Sequence, residues 1–342
     1  MRKVAQVLAV SAAIAVAGCG GSADSGGQGA DQRGRGDSAS ACTVPGDLVR
    51  RSDVPIGVLA PSGSLRRQSY TSGADVAAAG LNAVSLGLAF YYDASGGIVF
   101  DFDGNADEAA KGRWVEELRC SVVEAKNADL MVAVWGQFIE AGSRGEPGEI
   151  SPDIQSRVLE GALALVPEIG TILEELKVEY WAPVSELERF AGIANHNDYF
   201  PRMVAAGRPV FEGTIYVQPN ILQRDGFAAA GVEPDLGGAD ALGISWISYE
   251  CEPAQLPPNV SVETADYYLD AASAQGISRV FISELGGTRM SGEEARPCFE
   301  QLIERWNGAD NGVFVLDMPS DQPGGATVRG NWQEQVLATL RG

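Results

Sequence analysis

The chain has a single histidine, His196, in 342 residues. Zinc centres built on several histidines are therefore excluded, and a Ser-His-Asp or Cys-His centre has only that residue to use. Basic residues are scarce as well: 25 Lys and Arg stand against 46 Asp and Glu, a net charge of −21. Such a surface repels phosphate backbones, which argues against nucleic acid as a partner. Neither G-x-G-x-x-G nor G-x-x-x-x-G-K-[ST] follows the first strand-like run, so the usual nucleotide-binding folds have no support. The N-terminal apolar run, Val4–Ala17, contains Gln6 and Ser11 and is too short to span a bilayer comfortably. What remains is a globular composition, 45% hydrophobic and 21% charged, which excludes bulk disorder and a polytopic membrane protein. Its chemistry must rest on carboxylates, hydroxyls and aromatics, and no cofactor or metal is expected.

Arg2 and Lys3 precede the apolar run, which ends in Val16-Ala17-Gly18-Cys19. A basic start, a short apolar core and small residues form a secretory signal. The cysteine that follows makes the segment resemble the bacterial lipobox. That resemblance implies cleavage after residue 18, lipidation of Cys19 and an extracytoplasmic protein anchored to the bacterial membrane. Gly20 to Ala41 has no large apolar residue and reads as a flexible tether. The expected division is a signal peptide over 1–18, lipidated cysteine and linker over 19–44, and one folded domain over 45–342, acting as a monomer. Cys42, Cys120, Cys251 and Cys298 make an even number in an exported chain, which predicts two disulfides. Three pairings are possible. Cys251–Cys298 with Cys42–Cys120 is favoured, because Cys251 and Cys298 lie near consecutive late elements.

From Val54 onward, eight short apolar runs alternate with amphipathic or alanine-rich stretches. The runs are 54–59, 82–92, 130–138, 178–184, 213–218, 241–247, 279–283 and 312–317. Each is nearly continuous in apolar residues, as parallel strands buried on both faces require. Helices are predicted over 72–79, 107–126, from Ser151-Pro152 onward, over 264–274 and over 296–307. The Gly- and Pro-rich stretch between the fifth and sixth runs predicts a short or missing helix. Eight such units over about 290 residues match a (β/α)8 TIM barrel, with an open doubly wound sheet as the alternative.

In such a barrel the chemistry lies at the C-terminal strand ends. The fourth run ends in Ser185-Glu186-Leu187-Glu188 and the seventh in Ser283-Glu284-Leu285-Gly286-Gly287. Carboxylates there face each other across the barrel mouth, and a pair about 5 Å apart performs retaining glycoside hydrolysis. Trp181-Ala-Pro-Val-Ser-Glu186 and Phe281-Ile-Ser-Glu-Leu-Gly-Gly287 resemble the strand-four and strand-seven endings of the clan A glycoside hydrolases. The resemblance implies a retaining β-glycosidase with Glu186 as acid/base and Glu284 as nucleophile, and a carbohydrate as substrate. It also implies a role for Tyr249, just after the sixth run, as hydrogen-bond donor to Glu284. Ser185 stands where the family usually has an Asn that contacts the sugar 2-hydroxyl. No arginine ends the second run, and the eighth ends Leu316-Asp317-Met318-Pro319 without the usual Trp. A non-catalytic carbohydrate-binding barrel is therefore the competing reading.

Tyr92, Trp135, Tyr216 and Trp246 lie near strand ends, where sugar rings stack on aromatic faces. Gln137 and Gln218 are candidate partners for sugar hydroxyls, and Ser185 and Asp317 complete the expected substrate contacts. Glu188 is the rival to Glu186, two residues on and on the same face if the strand continues. Asp101-Phe-Asp103-Gly-Asn105-Ala-Asp107-Glu108 spaces oxygens like part of a calcium loop. Ala106 and Gly112 break that pattern, which leaves an acidic turn with a helix cap. His196, in Ala194-Asn-His-Asn-Asp198, reads as an exposed loop residue.

Overall fold

The computed structural model describes residues 42–65, 68–142, 150–219, 231–247, 260–286, 292–317 and 327–341. The expected leader, Cys19 and nearly all of the tether lie outside them. Among the described residues nine strands form one sheet: β1 (Ile56–Ala60), β2 (Ala83–Tyr92), β3 (Ile98–Val99), β4 (Met131–Glu140), β5 (Tyr180–Ala182), β6 (Thr214–Val217), β7 (Ala241–Ile247), β8 (Arg279–Gly286) and β9 (Val313–Leu316). Their order is β1-β9-β8-β7-β6-β5-β4-β2-β3, and β1 also pairs with β2, so eight parallel strands close into a barrel. β3 is a short antiparallel addition on the end of β2. All eight apolar runs are barrel strands, and the closed barrel excludes the open-sheet alternative.

The helices that follow the strands begin where the sequence supplies caps. Ser72 accepts from the Asp75 amide at the start of α1 (Gly73–Ala78), and Asp107 from the Ala110 amide at the start of α2 (Glu108–Asn127). Ser151 caps α3 (Pro152–Glu175), with Pro152 in the first turn. Asp101 accepts from the backbone and side-chain amides of Asn105, so the calcium-like segment is a closed turn leading into the α2 cap. After β5 comes α4 (Leu187–Gly207), then α5 (Val260–Ala274), α6 (Arg296–Arg305), the short α7 (Gly308–Asn311) and α8 (Trp332–Thr339). Between β6 and β7, residues 231–240 hold no helix, in keeping with the Gly- and Pro-rich reading; 220–230 lie outside the described residues.

α4 was not foreseen, and it overturns the reading of His196. That residue lies within α4, is 1% exposed, and stacks on Phe200 with ring centroids 5.5 Å apart. Asn195, His196, Asn197 and Pro201 look like loop composition. Gly192, at φ 77° and ψ 167°, has non-helical backbone, so α4 is two helical pieces joined at a kink there.

Two apolar layers hold the barrel. Between strands and helices, alternate strand residues such as Val58, Val84, Val132, Ile215, Leu242 and Ile282 pack on helix faces carrying Trp114, Val122, Leu159 and Val166. The bore is filled by the other alternation, including Met131, Tyr180, Tyr216, Phe281 and Phe314. Phe281 is its centre, with Tyr180 at 5.6 Å, Tyr216 at 5.0 Å and Phe314 at 6.2 Å between centroids. The bore is thus a packed core, and a substrate meets only its upper end. Below β5, Glu179 forms a buried pair with Lys126, with oxygens 2.6 and 2.7 Å from Nζ.

Cys42 and Cys120 are joined, with Cα atoms 5.2 Å apart. Cys298 is also disulfide-bonded, while Cys251, its expected partner, lies outside the described residues.

Candidate active site

Four adjacent strands each bring one polar side chain to the C-terminal mouth. After β5, Pro183 has no amide hydrogen to continue the ladder. The chain is held instead by the Ser185 amide on Gly136 O (2.8 Å) and the Glu186 amide on Gln218 O (2.7 Å). Glu186 itself takes a left-handed conformation, φ 49° and ψ 40°, directly before α4. Such backbone is disfavoured for a side chain with a Cβ and persists where the surroundings fix it. Phe190, in the first turn of α4, stacks on Phe138 at 4.2 Å and anchors the helix start over β4.

On β8, strict alternation would turn Phe281 and Ser283 inward and Glu284 outward. The register with β7 shifts, however: Ile244 faces Ile282 and Ser245 faces Glu284. The extra residue is a β-bulge, which brings Ser283 and Glu284 both to the bore side and re-aims the carboxylate. Gly243 makes room for this. A Cβ there would sit 2.8 Å from both the Ser283 Cβ and the Tyr216 Cδ2.

Ser245 then joins the pair. Its Oγ lies 3.0 Å from Glu284 Oε2 and 3.3 Å from Glu186 Oε1, so those oxygens are at most 6.3 Å apart, the sum of the two distances. The Gln218 amide makes a longer contact, 3.5 Å, to the same Glu284 oxygen. Glu284 is 8% exposed and Glu186 more open. Retaining pairs stand about 5–5.5 Å apart and inverting pairs about 6.5–9.5 Å, so a shared hydroxyl brings these two groups into the range of two-carboxylate chemistry. Sequence reading missed Ser245, although the alternation Ala241, Gly243, Ser245 against Leu242, Ile244 marks a bore-facing row of small residues.

Tyr216 lies below the pair and is fully buried. Burial pushes its hydroxyl well above the usual tyrosine range; the neighbouring Ser85 hydroxyl opposes this and the Glu284 charge adds to it. Gln218 Oε1, Ser283 Oγ and Trp135 Nε1 are buried polar atoms without a partner among the described residues. They leave unused hydrogen-bonding capacity in the packed layer directly beneath the two carboxylates. Gln137 is half-buried and donates to Pro61 O at 2.9 Å. The side chain of Trp246 and all of Tyr249 lie outside the described residues.

Two expected substrate contacts are elsewhere. Tyr92 has the outward parity of β2, is 2% exposed, and packs edge-on against Phe190 at 5.6 Å. Asp317 is completely buried and accepts from Ser69 N (3.0 Å), Ser69 Oγ, Tyr70 N (3.4 Å) and Val328 N (3.1 Å). Its carboxyl holds the loop after β1 to the end of β9 and offers nothing to a sugar. Glu188 is not on a strand face with Glu186: it sits in α4, 2% exposed, with Oε2 3.3 Å from His196 Nδ1. Among the described residues, Cys42, Glu116 and Cys120 are a cluster of metal-ligand types, but the two sulfurs are joined in the disulfide.

No family model and no curated protein matches the sequence. Solved structures do match. A GH113 β-mannanase from Alicyclobacillus acidocaldarius aligns at TM-score 0.55 and 14% identity, over 84% of this chain and 97% of its own. Endo-glycoceramidase II from Rhodococcus sp. aligns at 0.58 and 13%, over 86% and 81%. An exo-β-1,4-mannosidase from Opitutaceae bacterium strain TAV5 aligns at 0.58 and 15%, over 87% and 61%. This chain has their fold. The endo-glycoceramidase is also known as a lactosyl-enzyme intermediate.

Proposed function

We propose that this protein is a retaining glycoside hydrolase acting on a β-linked oligo- or polysaccharide at the cell envelope. One observation carries the reading: two carboxylates, from the ends of β5 and β8, meet at the single hydroxyl of Ser245 in the barrel mouth. Glu284 is the nucleophile. It is the more buried of the two and has donors at Ser245 and Gln218 to keep it ionised. Glu186 is the acid, because the facing negative charge favours its protonated form. Glu284 attacks the anomeric carbon while Glu186 protonates the departing oxygen, giving a glycosyl-enzyme ester and a free alcohol. With the charge of Glu284 gone, Glu186 takes a proton from water, and the hydroxide displaces Glu284 with net retention. The neighbours support this class of chemistry: all three named above act on sugars, and one forms a lactosyl-enzyme.

The competing reading, a carbohydrate-binding barrel without turnover, is favoured by Ser185 at the usual Asn position. A panel of aryl β-glycosides followed by proton NMR separates the two. Turnover with the β-anomer formed first is expected; binding without turnover means a binding module, and the α-anomer first means inversion.

The envelope location rests on the N-terminal segment and the Cys42–Cys120 bridge, which suits an oxidising compartment. Cys19→Ser is expected to release a folded protein from membranes. Persistent membrane association of the processed variant would refute the anchor.

A further inference from the structure

Ser245 contacts both carboxylates, and a hydroxyl has one proton to donate and lone pairs to accept with. It cannot hydrogen-bond two ionised carboxylates at once. With one proton on the pair the accounting closes: the Glu186 O–H donates to Ser245 Oγ, and the Ser245 O–H donates to Glu284 Oε2. The shorter distance is the one to Glu284, and the Gln218 amide converges on the same oxygen, which marks Glu284 as the anion.

We infer that Ser245 is a positioning residue that holds the single proton of the pair on Glu186 and turns its own O–H to follow the negative charge. This deepens the retaining reading and rests on it. Before attack the Ser245 proton faces Glu284. When the Glu284–sugar bond forms and the Glu186 proton leaves with the departing alcohol, the charge is on Glu186, and the Ser245 O–H rotates to donate there. Ser245 keeps its proton throughout, so no net transfer passes through it. Its bond to the anion lowers the pKa of Glu284, and its acceptance from Glu186 raises that of Glu186, so Ser245 holds the two values apart.

Other groups face the pair. Glu186 is within electrostatic reach of Tyr268 on α5, which also feels Glu188 on α4; Glu188 is paired with His196. Glu284 faces Gln218 and Tyr216 from β6. These groups contribute to where the pH limits lie, and Ser245 widens the gap that the repulsion between the two carboxylates already opens.

The test is the pH profile of kcat/KM on a β-glycoside with a poor leaving group, whose first step needs the Glu186 proton. Ser245→Ala is expected to narrow the bell from both sides, by about one pH unit per limb. Ser245→Thr, which keeps the hydroxyl, is expected to restore the width. A bell that loses height at unchanged width, or slides as a whole, would overturn the inference. A turnover-independent measurement keeps it testable: carbon-13 titration of the glutamate carboxyls, assigned with Glu186→Gln and Glu284→Gln. The two apparent pKa values should approach each other in Ser245→Ala; unchanged values would overturn the inference. Wild-type protein that hydrolyses none of the panel overturns the glycosidase reading alone, and the titration still decides the role of Ser245.

Discussion

Replacing Glu179 with Ala removes the partner of a buried ammonium and should show how the barrel floor holds β5 in place. The side chains of Lys126 and Glu179 are 4% and 3% exposed. The Glu179 carboxylate also accepts from the amides of Val132 (2.7 Å) and Arg51 (3.0 Å). Burial pushes the Lys126 amine down, and Glu179 is the main force opposing it. Without the carboxylate, Lys126 must either stay charged in an apolar site or give up its proton, and two amides lose an acceptor. Breaking a buried pair on one side costs about 3–5 kcal/mol. For a domain of this size that is a fall in Tm of roughly 6–20 °C. Lys126→Met with Glu179→Gln removes the charge and keeps an acceptor, so it should lose less than half as much. Urea unfolding followed by circular dichroism measures both. The reasoning fails if Glu179→Ala lies within about 1 kcal/mol of wild type, or if the double variant is as unstable as the single.

Gly243→Ala puts a methyl 2.8 Å from the Ser283 Cβ and the Tyr216 ring. It should destabilise by about 1–3 kcal/mol and, by moving the bulge that aims Glu284, reduce kcat/KM about 10–100-fold; wild-type values for both would contradict the account of the bulge. Glu174 is pushed up by burial, but bonds from Arg50, Lys177 and the Glu212 amide prevail and hold it at about 2, below its ordinary 4.5. Its folded pKa is depressed, so its stabilising contribution is complete above pH 4.5 and is lost as pH falls toward 2. Glu174→Gln should flatten that part of the urea-midpoint profile, and parallel profiles for the two proteins would refute the assignment.

The barrel was legible because parallel strands covered on both faces leave long apolar runs, and all eight survive as strands. Glu186 and Glu284 were legible as strand-end carboxylates. Their meeting point was not, because it depends on the bulge at Ser283–Glu284, and nothing in Phe-Ile-Ser-Glu-Leu shows where a strand slips its register. α4 was missed because Gly192, Asn195, Asn197 and Pro201 each weaken a helix, while burial of His196, Phe200 and Met203 against the barrel outweighs them. Tyr92 and Asp317 were misplaced for a common reason. Position near a strand end does not say which face a side chain takes, and one residue of parity separates the bore from the helix layer.

Azide rescue tests the central claim most directly. Glu186→Ala lacks the general base, so its glycosyl-enzyme from an activated aryl β-glycoside accumulates, and azide, which needs no base, should restore turnover and give the β-glycosyl azide. Glu284→Ala has no nucleophile on which to form that intermediate and should yield no β-azide at any concentration. A β-azide from Glu284→Ala, or full hydrolysis of the same substrate by it, would contradict the pairing of Glu186 and Glu284 on which the account stands.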